Sequence, residues 1–377
     1  MVDLRGADAL LLYGDSERNT DLFYITGFRA PDPFVFIQTD QGNAILTNDL
    51  EVDRAKDQAK VDQVLSTSHY ARQLGQEGGR ADADQVLGAF LKDQGARRLL
   101  LPADFPLGKA ESLRAAGFEF EIAPQPLFPQ RQVKSPEEVE AIVQAQRAAE
   151  AGMAAAVELL KAAEVRDGTL YSGGQVLTSE AVRRQIHRQL IDADCSADHT
   201  IVAGGDQGCD PHQEGSGPLR AGQPIVIDIF PRSNTSGYYG DLTRTLVKGQ
   251  APEAVRQLYQ TVLEGQQLAL QAVRAGADGR QIHQQVIELF ERAGYPTGEK
   301  DGYLQGFFHG TGHGLGLEIH DAPSIGTRGT PLETGQVVTV EPGLYYRGLG
   351  GVRIEDLVVV EDAGCRNLTE CAKFLEI

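Results

Sequence analysis

The sequence predicts an α+β protein with a smaller N-terminal α/β domain and a larger C-terminal domain. The chain has 377 residues, which exceeds the usual size of a single domain. Its first part alternates short apolar runs with a helical pattern, whereas its second part combines long helical patterns with strand- and turn-like segments. A proline-rich stretch, APQPLFPQRQVK, separates the two parts. We therefore expect domains at 1–130 and 131–377.

The N-terminal domain is predicted to contain several strands and a helix. Leu, Val, Ile and Phe dominate four short runs that are typical of strands: 9–14, 33–38, 43–48 and 97–102. Residues 83–95 carry apolar side chains at helical spacing and end at Gly95. His69 is the only histidine before His187, and we expect it to have a surface or packing role. The chemistry is therefore expected in the second domain.

The C-terminal domain is predicted to begin with a long helix. Ser135 is a favourable N-cap, Pro136 suits the first helical position, and Glu138 completes a capping box with Ser135. Gln146 interrupts the apolar face of this helix. Similar patterns predict further helices at 180–192, 252–275 and 278–293.

The composition argues against several classes of protein. A formal net charge of −18 disfavours a general affinity for nucleic acid or anionic membranes. The cysteines are too few and too irregularly spaced for a disulfide framework, so we expect reduced thiols; they are Cys195, Cys209, Cys365 and Cys371. The N-terminus lacks the pattern of a signal peptide, and no run approaches the ~20 apolar residues that span a bilayer. We expect a soluble, cytoplasmic protein.

Acidic residues interrupt apolar, strand-like segments of the C-terminal domain. Asp228 lies in PIVIDIFPR, a run typical of a strand that is buried on both faces. A carboxylate in such a run is costly unless it is paired or binds a metal. The same anomaly recurs in three more segments, at Asp241, Glu341 and Glu355. Salt bridges to Arg244 and Arg353 could explain one or two of these carboxylates, but not all four.

The carboxylates occur in pairs that flank predicted turns. Asp228 and Asp241 lie on either side of SNTSG, and Glu341 and Glu355 on either side of a glycine-rich turn. If each pair spans adjacent antiparallel strands, each hairpin can direct two carboxylates toward one point. Four carboxylates and one imidazole form an oxygen-rich ligand set. Such a set is typical of Mn²⁺ or a similar divalent first-row ion, and not of an all-cysteine structural zinc site. This number of acidic ligands indicates two metal ions.

The stretch FFHGTGHGLGLEIHD, residues 307–321, supplies the candidate imidazoles. A nucleotide-binding loop is disfavoured, because its glycines do not fit GxGxxG and no amphipathic helix follows. We interpret the stretch as part of the metal site. His313 would supply the nitrogen ligand, and His309 and His320 would flank the reacting bond. The combination indicates a hydrolase.

Several motifs resemble those of the pita-bread metallopeptidases, in the branch of the Xaa-Pro dipeptidases (prolidases) and aminopeptidase P. GDLTRT, HGTGHGLGLEIH, VEPGLYY and GGVRIED occur in the order and spacing of that family. The resemblance runs from about residue 135 to the end of the chain, and the N-terminal region fits by length and pattern only. It implies a pita-bread catalytic domain at 131–377 and a creatinase-like α/β domain at 1–130.

The resemblance also implies roles for individual residues. It implies five metal ligands: Asp228, Asp241, His313, Glu341 and Glu355. Glu341 would also be the acid–base carboxylate, Tyr345 would border the substrate pocket, and Arg353 would support it. The implied catalytic set is His212, His309, His320, Glu341 and Arg353. The implied substrate-binding set is His212, His309, His320, Tyr345 and Arg353, in which His212 would line the proline pocket and His309 and His320 would steady the tetrahedral intermediate.

The implied activity is hydrolysis of Xaa-Pro peptides by a homodimeric enzyme with two divalent metal ions. Mn²⁺ is the preferred ion, with Co²⁺ or Zn²⁺ as alternatives. An Xaa-Pro dipeptidase is the first interpretation, and an aminopeptidase acting on longer peptides is the second. A non-catalytic binding protein and a creatine-hydrolysing relative are disfavoured because all five ligands are present. The N-terminal region disfavours a methionine aminopeptidase, and an apparent insertion at 168–179 departs from the family pattern.

Overall fold

The structure is a computed structural model that describes residues 2–75 and 82–377. The chain divides into two compact units, an N-terminal unit of Met1–Pro129 and a C-terminal unit of Gln130–Ile377. The boundary expected from the sequence is one residue further along the chain. None of the described helices combines the length and the apolar character that crossing a membrane requires.

The described part of the N-terminal unit contains a mixed sheet in the order β4-β3-β2-β1-β5-β6. Its strands are β1 (Ala9–Gly14), β2 (Phe34–Thr39), β3 (Gly42–Thr47), β4 (Gln63–Ser66), β5 (Arg98–Leu101) and β6 (Glu119–Ile122). Its helices are α1 (Thr20–Thr26), α2 (Val52–Gln58), α3 (Thr67–Gln73), α4 (Ala83–Asp93) and α5 (Leu107–Ala115). The strands predicted from apolar runs and the helix predicted at 83–95 are confirmed.

The sheet of the N-terminal unit is buried on both faces. Ala9 and Leu11 of β1 pack in one core with α3, α4 and α5, whereas Leu10 and Leu12 pack in another with α1 and α2. Successive side chains of a strand point to opposite faces, so a continuous apolar run serves both cores. This unit therefore has helices on both sides of one sheet, as the predicted α/β domain requires.

The C-terminal unit begins with the predicted long helix. Its described helices are α6 (Pro136–Ala162), α7 (Ser179–Asp192), α8 (Glu253–Ala272) and α9 (Gly279–Arg292). The predicted capping box is confirmed, since the Ser135 side chain accepts a hydrogen bond from the Glu138 N–H and the Glu138 side chain accepts one from the Ser135 N–H. The other three helices lie within a few residues of their predicted bounds.

Short strands of the C-terminal unit form two main sheets, β11-β12-β14 and β18-β17-β19-β22-β23. Between α6 and α8 lie β7 (Glu164–Arg166), β8 (Thr169–Ser172), β9 (Gln175–Val176), β10 (Cys195–Ser196), β11 (Ile201–Gly204), β12 (Pro224–Ile229), β13 (Arg232–Ser233) and β14 (Leu242–Val247). After α9 lie β15 (Gly298–Lys300), β16 (Tyr303–Gln305), β17 (Gly312–Gly314), β18 (Asp321–Ile325), β19 (Val337–Val340), β20 (Gly343–Tyr346), β21 (Gly350–Arg353), β22 (Asp356–Glu361) and β23 (Gly364–Asn367).

Each main sheet of the C-terminal unit packs against its own pair of helices. The sheet around β12 shares an apolar core with α6 and α7, and the sheet around β22 shares another with α8 and α9. The stretch 168–179 contributes β8 and β9 to a small antiparallel sheet with β7. The candidate ligands lie where the two main sheets meet.

Candidate metal centre

The first pair of carboxylates is placed by two antiparallel strands. Strands β12 and β14 pair along their lengths, with Asp228 opposite Thr243. Asp241 precedes the first residue of β14. A turn at 233–237, closed by a hydrogen bond of 2.9 Å from the Gly237 N–H to the Ser233 carbonyl, lies between the two aspartates. The predicted pairing of adjacent strands is therefore confirmed.

The second pair of carboxylates lies at the ends of another antiparallel pair. Strands β19 and β22 pair with Val340 opposite Asp356, so Glu341 follows one strand and Glu355 precedes the other. The prediction that all four carboxylates interrupt strands is wrong, because only Asp228 lies inside one. The reason is that the backbone N–H groups of the other three donate outside the ladders of those strands: Asp241 to the Gln146 side chain at 2.7 Å, Glu341 to the Thr311 carbonyl at 2.7 Å and Glu355 to the Thr243 carbonyl at 3.1 Å.

His313 is brought to the carboxylates by a close backbone approach. A Cβ atom at Gly312 would lie 1.9 Å from the Thr339 carbonyl oxygen, so only glycine fits at this position. The His313 Nδ1–H donates to the Gly314 carbonyl at 3.0 Å. Its Nε2 lies 3.2 Å from Glu341 and 3.7 Å from Asp241. The second imidazole nitrogen, Nε2, therefore faces the acidic groups.

The arrangement fits divalent metal ions. Ligand atoms of Asp241, His313 and Glu355 all lie within 4.8 Å of one another. The Oδ1 atom of Asp228 is buried and has no hydrogen-bond partner. A buried, unpartnered carboxylate oxygen is costly unless a cation satisfies it. Oxygen ligands with one imidazole form a donor set that suits hard or borderline divalent ions.

Burial and mutual repulsion perturb the pKa values of these groups. Desolvation, together with the charge of Glu341, raises the pKa of Glu355 well above its usual range. Desolvation and the charge of Glu355 do the same to the pKa of Asp241. Burial alone would raise the pKa of Glu341, but its hydrogen bond to His313 and the nearby cations outweigh burial and lower it to about 2. The cationic side chains of the protein therefore do not balance the negative charge of this cluster of carboxylates.

Arg353 is the guanidinium of the cluster, and all its nitrogen atoms are engaged. Its Nη2 donates to Asp228 at 2.7 Å, its Nη1 to the Tyr345 hydroxyl at 3.0 Å, and its Nε to Thr243 at 3.3 Å. The salt-bridge explanation therefore accounts for Asp228 alone. The other candidate arginine, Arg244, pairs with Asp356 instead.

The carboxylates line a cavity of about 820 Å³, a volume typical of small-molecule sites. Its lining includes all five predicted ligands together with aromatic, aliphatic and imidazole groups: Asp228, Asp241, His313, Glu341, Glu355, Phe230, Phe308, Ile201, Ile319, Pro211, Ser324, His199, His212, His309, His320 and Arg353. Tyr345 is fully buried behind this lining. It was expected to border the pocket, and its hydroxyl instead links Arg353 to His309.

The predicted catalytic histidines differ in their surroundings. The His309 ring bonds the Gly310 carbonyl through Nδ1 and the Tyr345 hydroxyl through Nε2, each at 2.8 Å. Desolvation lowers the pKa of His309 to about 4. The ring of His320 lies 4.5 Å from that of His313, and desolvation with this neighbour lowers the pKa of His320. His212 is exposed and also lines the cavity.

Sequence reasoning assigned no role to two residues that the structure places at or next to the site. His199 lines the cavity, adopts a positive φ of 61°, and bonds Glu214 at 2.7 Å. Its sequence context, ADHTIVAGG, carries no recognisable motif. Gln146 is fully buried and its Oε1 accepts the backbone N–H of Asp241 at 2.7 Å. Its interruption of an apolar helical face was the available signal.

Comparisons with known proteins follow the same division of the chain. Residues 140–362 match metallopeptidase family M24, and residues 3–128 match the creatinase/prolidase N-terminal domain. The chain is 34% identical over 247 residues to an Xaa-Pro dipeptidase of Pyrococcus furiosus, an alignment that covers 65% of both chains. It is 29% identical to an Xaa-Pro aminopeptidase of Escherichia coli, over 97% of this chain and 88% of that one. The crystal structure of an X-Pro aminopeptidase from Thermotoga maritima is similar with a TM-score of 0.82 and 25% identity, over 99% of this chain and 98% of that one.

Proposed function

The chain belongs to metallopeptidase family M24 and is a metal-dependent peptidase, and we propose that it hydrolyses the bond before proline in Xaa-Pro dipeptides. The observation that carries this proposal is the convergence of four buried or half-buried carboxylates and His313 on one cavity, with one guanidinium among the described lining residues to balance them. The dipeptide preference is supported by the likeness to the Pyrococcus furiosus dipeptidase.

The proposed metal ligands are the five residues identified from the sequence: Asp228, Asp241, His313, Glu341 and Glu355. We assign them two divalent ions, with Mn²⁺ preferred and Co²⁺ or Zn²⁺ as alternatives. Bound there, the ions would lower the pKa of a water molecule toward 7 and polarise the carbonyl group before proline. The orphaned oxygen of Asp228 supports this assignment, since it belongs to a lining residue and has no hydrogen-bond partner.

Glu341 is the proposed acid–base group. Its carboxylate lines the cavity and is oriented by Thr339, whose hydroxyl donates to Oε1 at 3.1 Å. In hydrolysis of the Xaa-Pro bond, Glu341 accepts a proton from the attacking water and delivers it to the departing nitrogen of proline. A new carbon–oxygen bond forms and the carbon–nitrogen bond breaks.

The proposed substrate contacts surround this carboxylate. His320 donates an N–H to the developing oxyanion, a contribution of ~3–4 kcal/mol in hydrolases. His212 and His309 also line the cavity, and both ring nitrogens of His309 are bonded within the protein. Arg353 is itself part of the cavity lining, and the buried Tyr345 supports it through their hydrogen bond. The aromatic ring of Phe308 offers an apolar surface for the proline ring.

A second candidate is an aminopeptidase that acts on longer Xaa-Pro peptides. The free carboxylate of a dipeptide needs a cationic partner in this acidic cavity. Among the described residues of the lining, Arg353 is the one permanent cation, and each of its three nitrogens already donates to a protein group. A longer peptide carries its carboxylate away from the cavity and avoids this requirement.

A parallel assay on Xaa-Pro dipeptides and Xaa-Pro-containing tripeptides, with added Mn²⁺, separates the two candidates. The dipeptidase proposal expects cleavage of the dipeptides and little cleavage of the tripeptides. Efficient tripeptide cleavage would favour the aminopeptidase. The Glu341→Gln variant serves as control, because hydrolysis by a contaminating enzyme would survive this substitution.

Two further expectations accompany the proposal. We propose that the protein is a homodimer, as the family resemblance implies, and size-exclusion chromatography with light scattering tests this directly. We also propose that its substrates are cytoplasmic peptides, so that no nucleic acid or membrane is a partner. A co-purifying nucleic acid would contradict this assignment.

A further inference from the structure

We propose that Gln146 and Thr369 form a buried pair that positions Asp241, so that the segment after β23 contributes to metal affinity. The inference depends on the proposed ligand role of Asp241 and not on the choice of substrate. It gives a function to the glutamine that interrupts the apolar face of α6.

The contacts of Gln146 lead directly to a ligand. Its side chain is fully buried, and its Oε1 accepts the Asp241 N–H at 2.7 Å. Its Nε2 donates to the Thr369 hydroxyl at 3.0 Å, and the same hydroxyl accepts the Leu357 N–H at 2.9 Å. A buried amide in an apolar face is unfavourable unless both ends are bonded, and here both are.

The backbone before Asp241 also packs closely against the helix that carries Gln146. A Cβ atom at Gly240 would lie 2.6 Å from the backbone of Ala145 and Gln146 in α6. The Gly240 N–H also donates to the Pro231 carbonyl at 2.9 Å. The backbone at Gly240 and Asp241 has little free space. The direction of the Asp241 side chain therefore depends on the residues that pack around this backbone.

Several hydrogen bonds hold the segment that carries Thr369 in place. Arg147 of α6 donates to the Leu368 carbonyl at 3.1 Å. Arg244 donates to the Cys371 carbonyl at 2.7 Å and to the Ala372 carbonyl at 3.1 Å, and it also bonds the carbonyl of Glu355. The segment 368–372 therefore connects to the backbones of two proposed ligands, Asp241 through Gln146 and Glu355 through Arg244.

The test measures metal binding without any substrate. The protein is stripped with EDTA, dialysed, and titrated with Mn²⁺ in a calorimeter. Gln146→Leu removes both hydrogen bonds and Thr369→Val removes the hydroxyl at nearly constant volume. Each is expected to weaken Mn²⁺ binding by ~10–100-fold, as is usual for groups that orient metal ligands. Thr369→Ser retains the hydroxyl and should retain wild-type affinity.

Gln336 provides a matched control. It is 2% exposed, and its Oε1 accepts the Glu333 N–H at 2.9 Å in the way that Gln146 accepts that of Asp241. Gln336→Leu should lower thermal stability but leave Mn²⁺ affinity unchanged. An equal loss of affinity in Gln336→Leu would show a general effect of burying an unpaired group and would overturn the proposal.

Two other outcomes are decisive. Wild-type affinity in a folded Gln146→Leu or Thr369→Val variant contradicts a positioning role. If Gln146→Leu does not fold, the milder Thr369→Val and Thr369→Ser pair decides the question alone. Failure of the enzyme to cleave Xaa-Pro dipeptides would leave the result unaffected, because the readout is metal binding.

Discussion

Glu355 and Asp356 are neighbours in the chain, and each is 1% exposed, yet their surroundings differ completely. Asp356 lies 2.9 Å from the Arg244 guanidinium and 2.5 Å from the Lys373 ammonium, and it accepts an N–H from Asn367 at 2.8 Å. Glu355 accepts one neutral hydrogen bond, from the Thr243 hydroxyl at 2.8 Å. The charged groups near Glu355 are mainly carboxylates.

The difference shows that this fold can neutralise a buried carboxylate with its own side chains. It does so at Asp356, where two cations and an amide surround the acid. One residue earlier it does not, although leaving a charge uncompensated in the interior is strongly unfavourable. The lack of a paired cationic side chain at Glu355 is therefore a property of the site, and a metal ion is the partner that we propose for this carboxylate.

Glu355→Gln should give the largest effect, because it removes a charged ligand while preserving the shape of the side chain. Loss of Mn²⁺ affinity and of peptide hydrolysis should exceed the ~10–100-fold typical of groups that only orient ligands. Calorimetric titration and a dipeptide assay measure the two quantities. Near-normal Mn²⁺ binding by this variant would contradict the proposed difference between Glu355 and Asp356.

Asp356→Asn should act on stability instead. Breaking a buried ion pair leaves Arg244 uncompensated, and the expected cost is about 3–5 kcal/mol of unfolding free energy. Urea unfolding followed by circular dichroism measures it. The control is Asp53→Asn, which breaks an exposed pair with Lys56 and should change stability by less than ~1 kcal/mol. Equal effects would mean that burial does not decide the outcome.

Removal of the metal should have an effect of intermediate size on stability, and it tests the same comparison between Glu355 and Asp356. A hundredfold excess of Mn²⁺ over its Kd should stabilise the stripped wild-type protein by ~2.7 kcal/mol. Asp356→Asn should retain this increment from a lower starting point, whereas Glu355→Gln should lose it. Thermal melts of the three proteins, each with EDTA or with Mn²⁺, give the comparison. An increment that persists in Glu355→Gln would place the ion elsewhere.

The smallest effect is expected at Thr243, which donates to Glu355 and accepts from Arg353 at 3.3 Å. Thr243→Val should weaken Mn²⁺ binding by about tenfold, which corresponds to ~1.4 kcal/mol. Thr245 is a matched control on the same strand, because it is also fully buried but bonds the backbone of Arg353. Thr245→Val should affect stability without changing affinity.

The sequence was informative where a residue type contradicted its local context. Asp228 in a run of Ile and Val signalled a special site, and the capping box at Ser135 fixed the start of α6 within one residue. Local patterns could not show that Glu341 and Glu355 lie just outside their strands. That depends on backbone bonds to other segments, such as the one from Glu341 to Thr311 at 2.7 Å.

Long-range partners were also beyond the reach of the sequence. The bond between Gln146 and Asp241 joins residues 95 positions apart, and that between Gln146 and Thr369 joins residues 223 apart. Periodicity shows that a glutamine is out of place, but not what it contacts. Likewise, the sequence offered Arg244 as a partner for one of the four acids, and only the fold assigns it to Asp356.

The glycines of the histidine-rich stretch have a consequence for how this protein can vary. A single methyl group at position 312 would collide with a carbonyl oxygen of the neighbouring strand. Gly298, in contrast, has open space around it and no unusual backbone angle. A library randomised at both positions and selected for activity should therefore return glycine alone at the first and a broad mixture at the second. The close spacing between strands therefore restricts the substitutions that this protein tolerates as strictly as the chemistry of its site does.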